Sequence, residues 1–304
     1  MAKQQKKRAA TNEFNTPCDV KTVRSFDGTE LCCVSCGEGE QALILAPGLA
    51  TPPVSYKRIV ERFAPFCRIV TWDMRGSFRS GRAEAGVESY QIRDHVADLE
   101  AIVEAEGLSH FVLGGWSMGV EIALEYQHRH PQHCDALILI NGGYGNILTH
   151  AFHLPMGDTI PLAALRWARK NARLLQPLIR KTLPQPWWIR GMGLVGLVHP
   201  KSKDFPKVVE QFATLDFELY FAMMEKLHEH SAETLLDSVN VPTLITAGTK
   251  DKMTPLSTAE VMARRIKQSR LLVVPGGTHY TPIEFPDLIN RAIAEFLSER
   301  GWSV

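Results

Sequence analysis

The stretch "LGGWSMGVEI", residues 113–122, sets Ser117 between Gly115 and Gly119. A lone serine hydroxyl is a poor nucleophile near neutral pH, so it needs a base to take its proton and an acid to orient that base. Eleven histidines are available. His279, in "VVPGGTHYTPIEFP", stands on a glycine-rich loop after the last apolar run of the chain. Asp251, in "TLITAGTKDKMTP", follows another such run and a glycine. The rival position for the acid, after the preceding run, reads "INGGYG" and carries no carboxylate. Attack on a carbonyl also requires donors for the oxyanion. The backbone N–H groups of Met118, next to the serine, and of Leu49, in "ILAPGLATPP", are the candidates.

These residues must be brought together by the elements around them. Apolar runs occur at 42–46, 67–72, 110–114, 136–140, 242–247 and 270–275, several of them apolar at every position. Helix-like segments such as "QIRDHVADLEAIVEAEG" and "LSTAEVMARRIKQ" lie between most of them. Alternation of doubly buried strands with helices predicts a mainly parallel sheet covered on both faces. Ser117 then sits on the turn from a strand ("HFVLG") into a helix ("MGVEIALEYQHRHP"), at the carboxyl edge where ligands of open α/β sheets bind. A nucleophile on so sharp a turn has little room beside it, which accounts for Gly115 and Gly119. About a hundred residues separate the runs at 136–140 and 242–247, punctuated by proline and without a convincing strand. They predict a helical cap over 144–234 on a core of 21–143 and 235–304. Residues 1–20 are expected to be a disordered lead-in.

The pattern "GWSMG", its strand and helix, and the order Ser117, Asp251, His279 resemble the serine hydrolases of the α/β-hydrolase superfamily from about Phe26 to Leu297. That resemblance implies an eight-stranded, mostly parallel sheet with helices on both faces and a helical cap after strand 6. It implies a Ser-His-Asp triad cleaving a carboxylic ester, lactone or thioester through an acyl-enzyme, with no metal or organic cofactor. Cleavage of a C–C bond, perhydrolysis, and ligand capture without catalysis are the alternatives on the same scaffold. A serine at the elbow excludes the epoxide hydrolase and haloalkane dehalogenase reactions, which use aspartate there. Two departures stand out: Pro47-Gly48 replaces the usual His-Gly, and "DMRGSFRS" carries Phe78 where the second glycine of Asp-x-Arg-Gly-x-Gly-x-Ser is usual.

A formal net charge of +1 argues against a nucleic-acid partner for the whole molecule. The basic N-terminus lacks a following apolar segment and no run reaches membrane-spanning length, so a cytoplasmic location is expected. "LCCVSC" has a Cys-x-x-Cys spacing, but no second pair or nearby histidine completes a metal site. Cys32, Cys33 and Cys36 are read as small strand hydrophobes in a segment forming two strands joined by a glycine turn. Trp116, Phe217 and Phe221 are expected to line an apolar substrate pocket. Residues 160–203 hold nine lysines and arginines, three tryptophans and no acidic residue. Such a segment could meet an anionic acyl carrier, lie on an anionic membrane surface, or turn its apolar face to the pocket and its basic face to water.

Overall fold

Residues apolar at successive positions become strands buried on both faces. The computed structural model describes residues 14–151, 158–199 and 202–304. Its strands are β1 (Cys18–Arg24), β2 (Glu30–Cys36), β3 (Ala42–Ala46), β4 (Arg68–Trp72), β5 (Phe111–Trp116), β6 (Cys134–Ile140), β7 (Thr243–Gly248) and β8 (Ser269–Val274). They form one sheet in the order β1-β2-β4-β3-β5-β6-β7-β8. β1 and β2 pair antiparallel, as do β2 and β4, and every pairing beyond β4 is parallel.

The period of two along each strand divides the core into two layers. Ile44, Leu113, Leu137 and Leu139 face one layer with α2 (Ile92–Glu106), α3 (Met118–Arg129) and α10 (Leu256–Arg265). Leu43, Leu45, Val112 and Ile138 face the other, with α1 (Lys57–Phe63) and α12 (Pro286–Ser298). Local chemistry fixes the helix ends. In α2, Gln91 and Asp94 make a capping box, and Gly107 closes the helix in the left-handed region at φ 65°.

The described residues between β6 and β7 hold the helices α4 (Ile147–His150), α5 (Thr159–Lys170), α6 (Ala172–Thr182), α7 (Pro186–Leu194), α8 (Phe205–Phe212) and α9 (Phe217–Glu229). Where this insertion leaves and rejoins the sheet, its two ends are tied together. A bridge joins Gly145 to Ser231, and the Asn146 and Ala232 N–H groups donate to the carbonyls of His230 and Tyr144 at 2.9 and 2.6 Å. A side chain on Gly145 would lie 2.4 Å from Ser231 Cα, so the closure requires glycine.

Two expectations change. Residues 1–13 of the supposed lead-in lie outside the described residues, but Phe14 is buried and β1 begins at Cys18, so residues 14–20 belong to the fold. The two strands expected in "TELCCVSCGEGEQALILAPG" form as β2 and β3, with β4 between them in the sheet. Cys36 is no bare hydrophobe: it stands opposite Cys18 across the β1–β2 ladder and forms a disulfide with it. Cys33, Cys67 and Cys134 remain buried thiols, pushed up to about 12 by burial. Among the described residues no helix is long and apolar enough to cross a membrane.

Candidate active site

Ser117 is the single residue between β5 and α3, with φ 56° and ψ −120°. A non-glycine residue in that region is strained, and the surroundings hold it there. The Ser117 N–H donates to the carbonyl of Ile140 on β6 at 3.0 Å. The glycines explain themselves by contact. A Cβ on Gly115 would fall 2.1 Å from the Gly119 carbonyl oxygen, and one on Gly119 would fall 2.2 Å from that of Ala46 on β3. These are backbone atoms that no side-chain motion clears, so helix α3 can press onto β3 only through glycine.

His279 and Asp251 meet on the same sheet edge, His279 after β8 and Asp251 after β7. His279 Nδ1 lies 2.9 Å from Asp251 Oδ2. The other oxygen, Oδ1, accepts from the backbone N–H groups of Met253 and Thr254, both at 2.9 Å. Burial pushes Asp251 up, but the charge and hydrogen bond of His279, with those from Thr254 and Asn141, hold it below the usual carboxylate range. The carboxylate is thus ionised and fully engaged.

Two partners were missed in the sequence. Asn141 follows β6, the position searched in vain for a carboxylate. It adopts φ 42°, and its Nδ2 donates to Asp251 Oδ2 and to the Thr278 carbonyl, each at 3.0 Å. Its Oδ1 accepts from the Thr281 hydroxyl. Thr254 brings its hydroxyl to 2.8 Å from Asp251 Oδ2 and 3.0 Å from the Asn141 carbonyl. The available signal was the tolerance of asparagine for left-handed backbone in "INGG".

Trp116 holds the serine and histidine loops to each other. Its indole N–H donates to the His279 carbonyl at 3.1 Å, and its ring meets Tyr56 and Tyr280 edge-on. It is 2% exposed and packs in the core, contrary to its expected place in a substrate pocket. Phe217 is likewise buried, against Phe212 and Tyr220, and Phe221 packs on Phe217 and Tyr220. The cavity that reaches Ser117 is narrow, about 10 Å³, and is walled by Met118, Glu121, Gly143, Ile147, Leu227 and Met253 among others. Glu121 stands out there. Burial pushes this carboxyl up to about 7, and His230, at the end of α9, holds it by Nδ1 at 2.5 Å.

Of the two expected oxyanion donors, Met118 follows the serine directly and Leu49 belongs to the loop after β3 that passes beside it. Met118 opens α3, where N–H groups lack intrahelical acceptors. The Gly48 loop presses against Ser117, since a Cβ on Gly48 would be 3.1 Å from Ser117 Cβ. Leu49 is the next residue, in a turn closed by the Thr51 N–H to the Gly48 carbonyl at 3.0 Å. Phe78 keeps the glycine-like backbone at φ 52°. Its stretch is held by Asp73, which accepts from Arg79, and by the buried pair Arg75–Asp98 at 2.6 Å.

A doubly wound eight-stranded sheet, a serine on a strained strand-to-helix turn and a His-Asp pair on the same edge define the α/β-hydrolase class, and the chain belongs to that superfamily. The family model for the alpha/beta hydrolase fold matches residues 41–186, and that for the TAP-like proteins matches 222–301. Among similar proteins, serine hydrolase BPHL of Mus musculus is 24% identical over 284 residues, covering 90% of this chain and 84% of its own. Monoacylglycerol lipase abhd6-B of Xenopus laevis is 23% identical over 289 residues, covering 90% and 81%. The esterase EaEST of Exiguobacterium antarcticum superposes with a TM-score of 0.72 at 21% identity, covering 91% of this chain and 99% of its own. The chain is a hydrolase of this fold.

Proposed function

We propose that the protein is a serine hydrolase that cleaves a carboxylic ester, or the related lactone or thioester, through an acyl-enzyme. One observation carries the reading. The imidazole of His279 offers Nδ1 to a buried, ionised Asp251, while its carbonyl accepts from the indole N–H of Trp116, the residue preceding Ser117. With the Nδ1–H donating a hydrogen bond to the carboxylate, Nε2 is left as the base.

His279 Nε2 takes the proton of the Ser117 hydroxyl as Oγ forms a bond to the substrate carbonyl carbon. The carbonyl electron pair moves onto oxygen, where the Leu49 and Met118 N–H groups stabilise it. Loss of one such donor typically costs about 10²- to 10³-fold in rate. Collapse of the tetrahedral intermediate expels the alcohol or thiol, which receives the proton from His279. Water then loses a proton to His279, attacks the acyl-enzyme, and releases the carboxylic acid with Ser117 restored. An esterase and a monoacylglycerol lipase among the similar proteins agree with this reaction class.

The test is labelling by a fluorophosphonate and turnover of p-nitrophenyl esters. Both are expected in the wild type and absent in Ser117→Ala. A folded wild-type protein that takes no label and turns over no ester would overturn the reading. Product analysis with ester, thioester and β-diketone substrates distinguishes acyl transfer to water from C–C cleavage.

A further inference from the structure

Helix α5 is amphipathic in an unusual direction. Ile160, Ala163, Ala164 and Trp167, spaced as one helical face, are all exposed, while Leu165 is buried and Arg169 reaches inward to Glu225 on α9 at 2.9 Å. The pattern continues through the cap. Leu174 and Leu178, one turn apart on α6, are 80% and 58% exposed, and Trp187 and Leu194 on α7 are 58% and 90% exposed. Basic residues border this apolar strip: Arg166 and Lys170 on α5, Arg173, Arg180 and Lys181 on α6, and Arg190 on α7 are exposed, with no carboxylate in α5, α6 or α7. Arg166, Arg169, Lys170 and Arg173 also wall an open cleft of about 620 Å³ with Glu218 and Glu225 of α9, where Arg169 and Arg173 pair with these carboxylates, leaving Arg166 and Lys170 as its surplus cations.

We propose that the outer face of α5, α6 and α7 docks on the surface of an anionic phospholipid bilayer. Basic amphipathic helices with tryptophan and leucine on the apolar side lie in the lipid interface by burying that side among the acyl chains while their cations meet the headgroups. A second copy of the chain is a poor occupant, because the two faces would bring like charges together. An acidic protein would satisfy the cations but leave apolar side chains spread over three helices to be covered. The inner side of the same lid explains the benefit. Ile189 and Met192 of α7 pack on the same small cluster as Tyr280, the neighbour of His279, so docking α7 brings the bilayer next to the catalytic loop. If the ester-hydrolase reading holds, the substrate is an ester carried in the membrane.

The experiment is cosedimentation of full-length Ser117→Ala protein with phosphatidylcholine vesicles, with and without phosphatidylserine, and with a second arm offering an acidic acyl carrier protein. Because the nucleophile is absent, docking is read independently of the reaction. Binding is expected only to the phosphatidylserine vesicles, with a blue shift of tryptophan emission and loss at high salt. Lys170→Gln and Lys181→Gln should each weaken it about five-fold. Leu174→Ser should weaken it about ten-fold or more, because its side chain is the one transferred to lipid. Both residues types are exposed, so thermal unfolding should be unchanged. Equal or absent binding to the two vesicle types, insensitivity to all three substitutions, or capture of the carrier protein in place of vesicles would each overturn the proposal.

Discussion

Raising the pH should unlatch the end of α9 from α3, the helix that follows Ser117. His230 closes α9 and packs between two carboxylates of α3, with Nδ1 at 2.5 Å from Glu121 and Nε2 at 2.9 Å from Glu125. Burial pushes this imidazole down, but the hydrogen bonds and charges of Glu121 and Glu125 more than reverse it, raising it from 6.5 to about 9. A group whose folded value lies above its unfolded one gives stability that is complete below the unfolded value and lost as pH rises through the folded one. The window is therefore 6.5 to about 9. A difference of about 2.5 pH units corresponds to about 3 kcal/mol, at about 1.4 kcal/mol per unit. Glu121, raised from 4.5 to about 7, acts in the same direction over a lower window. His95, His133 and His150 are all lowered, first by burial, so their contributions are already constant above 6.5. Urea unfolding at a series of pH values should show stability falling across the window in the wild type. In His230→Gln the fall should largely vanish, the two proteins converging at the alkaline end. A wild-type curve that is flat from neutral pH to 9, or a slope preserved in His230→Gln, would refute the assigned ion pair.

Three further outcomes follow from contacts already described. Asn141→Gly keeps the left-handed backbone but removes the donors to Asp251 and the Thr278 carbonyl, so kcat should fall while KM changes little, with a stability loss of about 1–3 kcal/mol in denaturant titration. Gly119→Ala places a methyl 2.2 Å from the Ala46 carbonyl oxygen, so the variant should lose fluorophosphonate labelling and melt earlier by calorimetry. Reduction of Cys18–Cys36, which spans 18 positions, should lower stability by about 3 kcal/mol, checked by urea titration with and without reductant and by thiol counting of the unfolded chain.

The central strands were legible because burial on both faces leaves an uninterrupted apolar run, as in "ALILA" and "ALILI". β1 was not. As an edge strand, "CDVKTVR" buries only Val23, so neither its existence nor the pairing of Cys18 with Cys36 leaves a mark in composition. Ser117, Asp251 and His279 drew attention because each follows a strand end, and of these His279 and Asp251 meet at 2.9 Å. The residues that hold them did not: Asn141 and Thr254 act through hydrogen bonds fixed by tertiary contact. Trp116 and Phe217 were assigned to a pocket by apolarity alone, a property that a core position shares, and Phe221 is half-buried beside Phe217 and Tyr220. The direction in which the cap's apolar stripe faces was equally invisible, since periodicity reports that a helix has two sides and not which one is outward.

The tie between Gly145 and Ser231 bears on how such a protein diversifies. Because the chain leaves and returns at one stitched point, the whole intervening lid behaves as an exchangeable cassette. Between β6 and β7 the sheet is closed at that point by backbone contacts alone, whatever the length of the stretch that intervenes. Selection on substrate and selection on folding are thereby assigned to different stretches of one polypeptide.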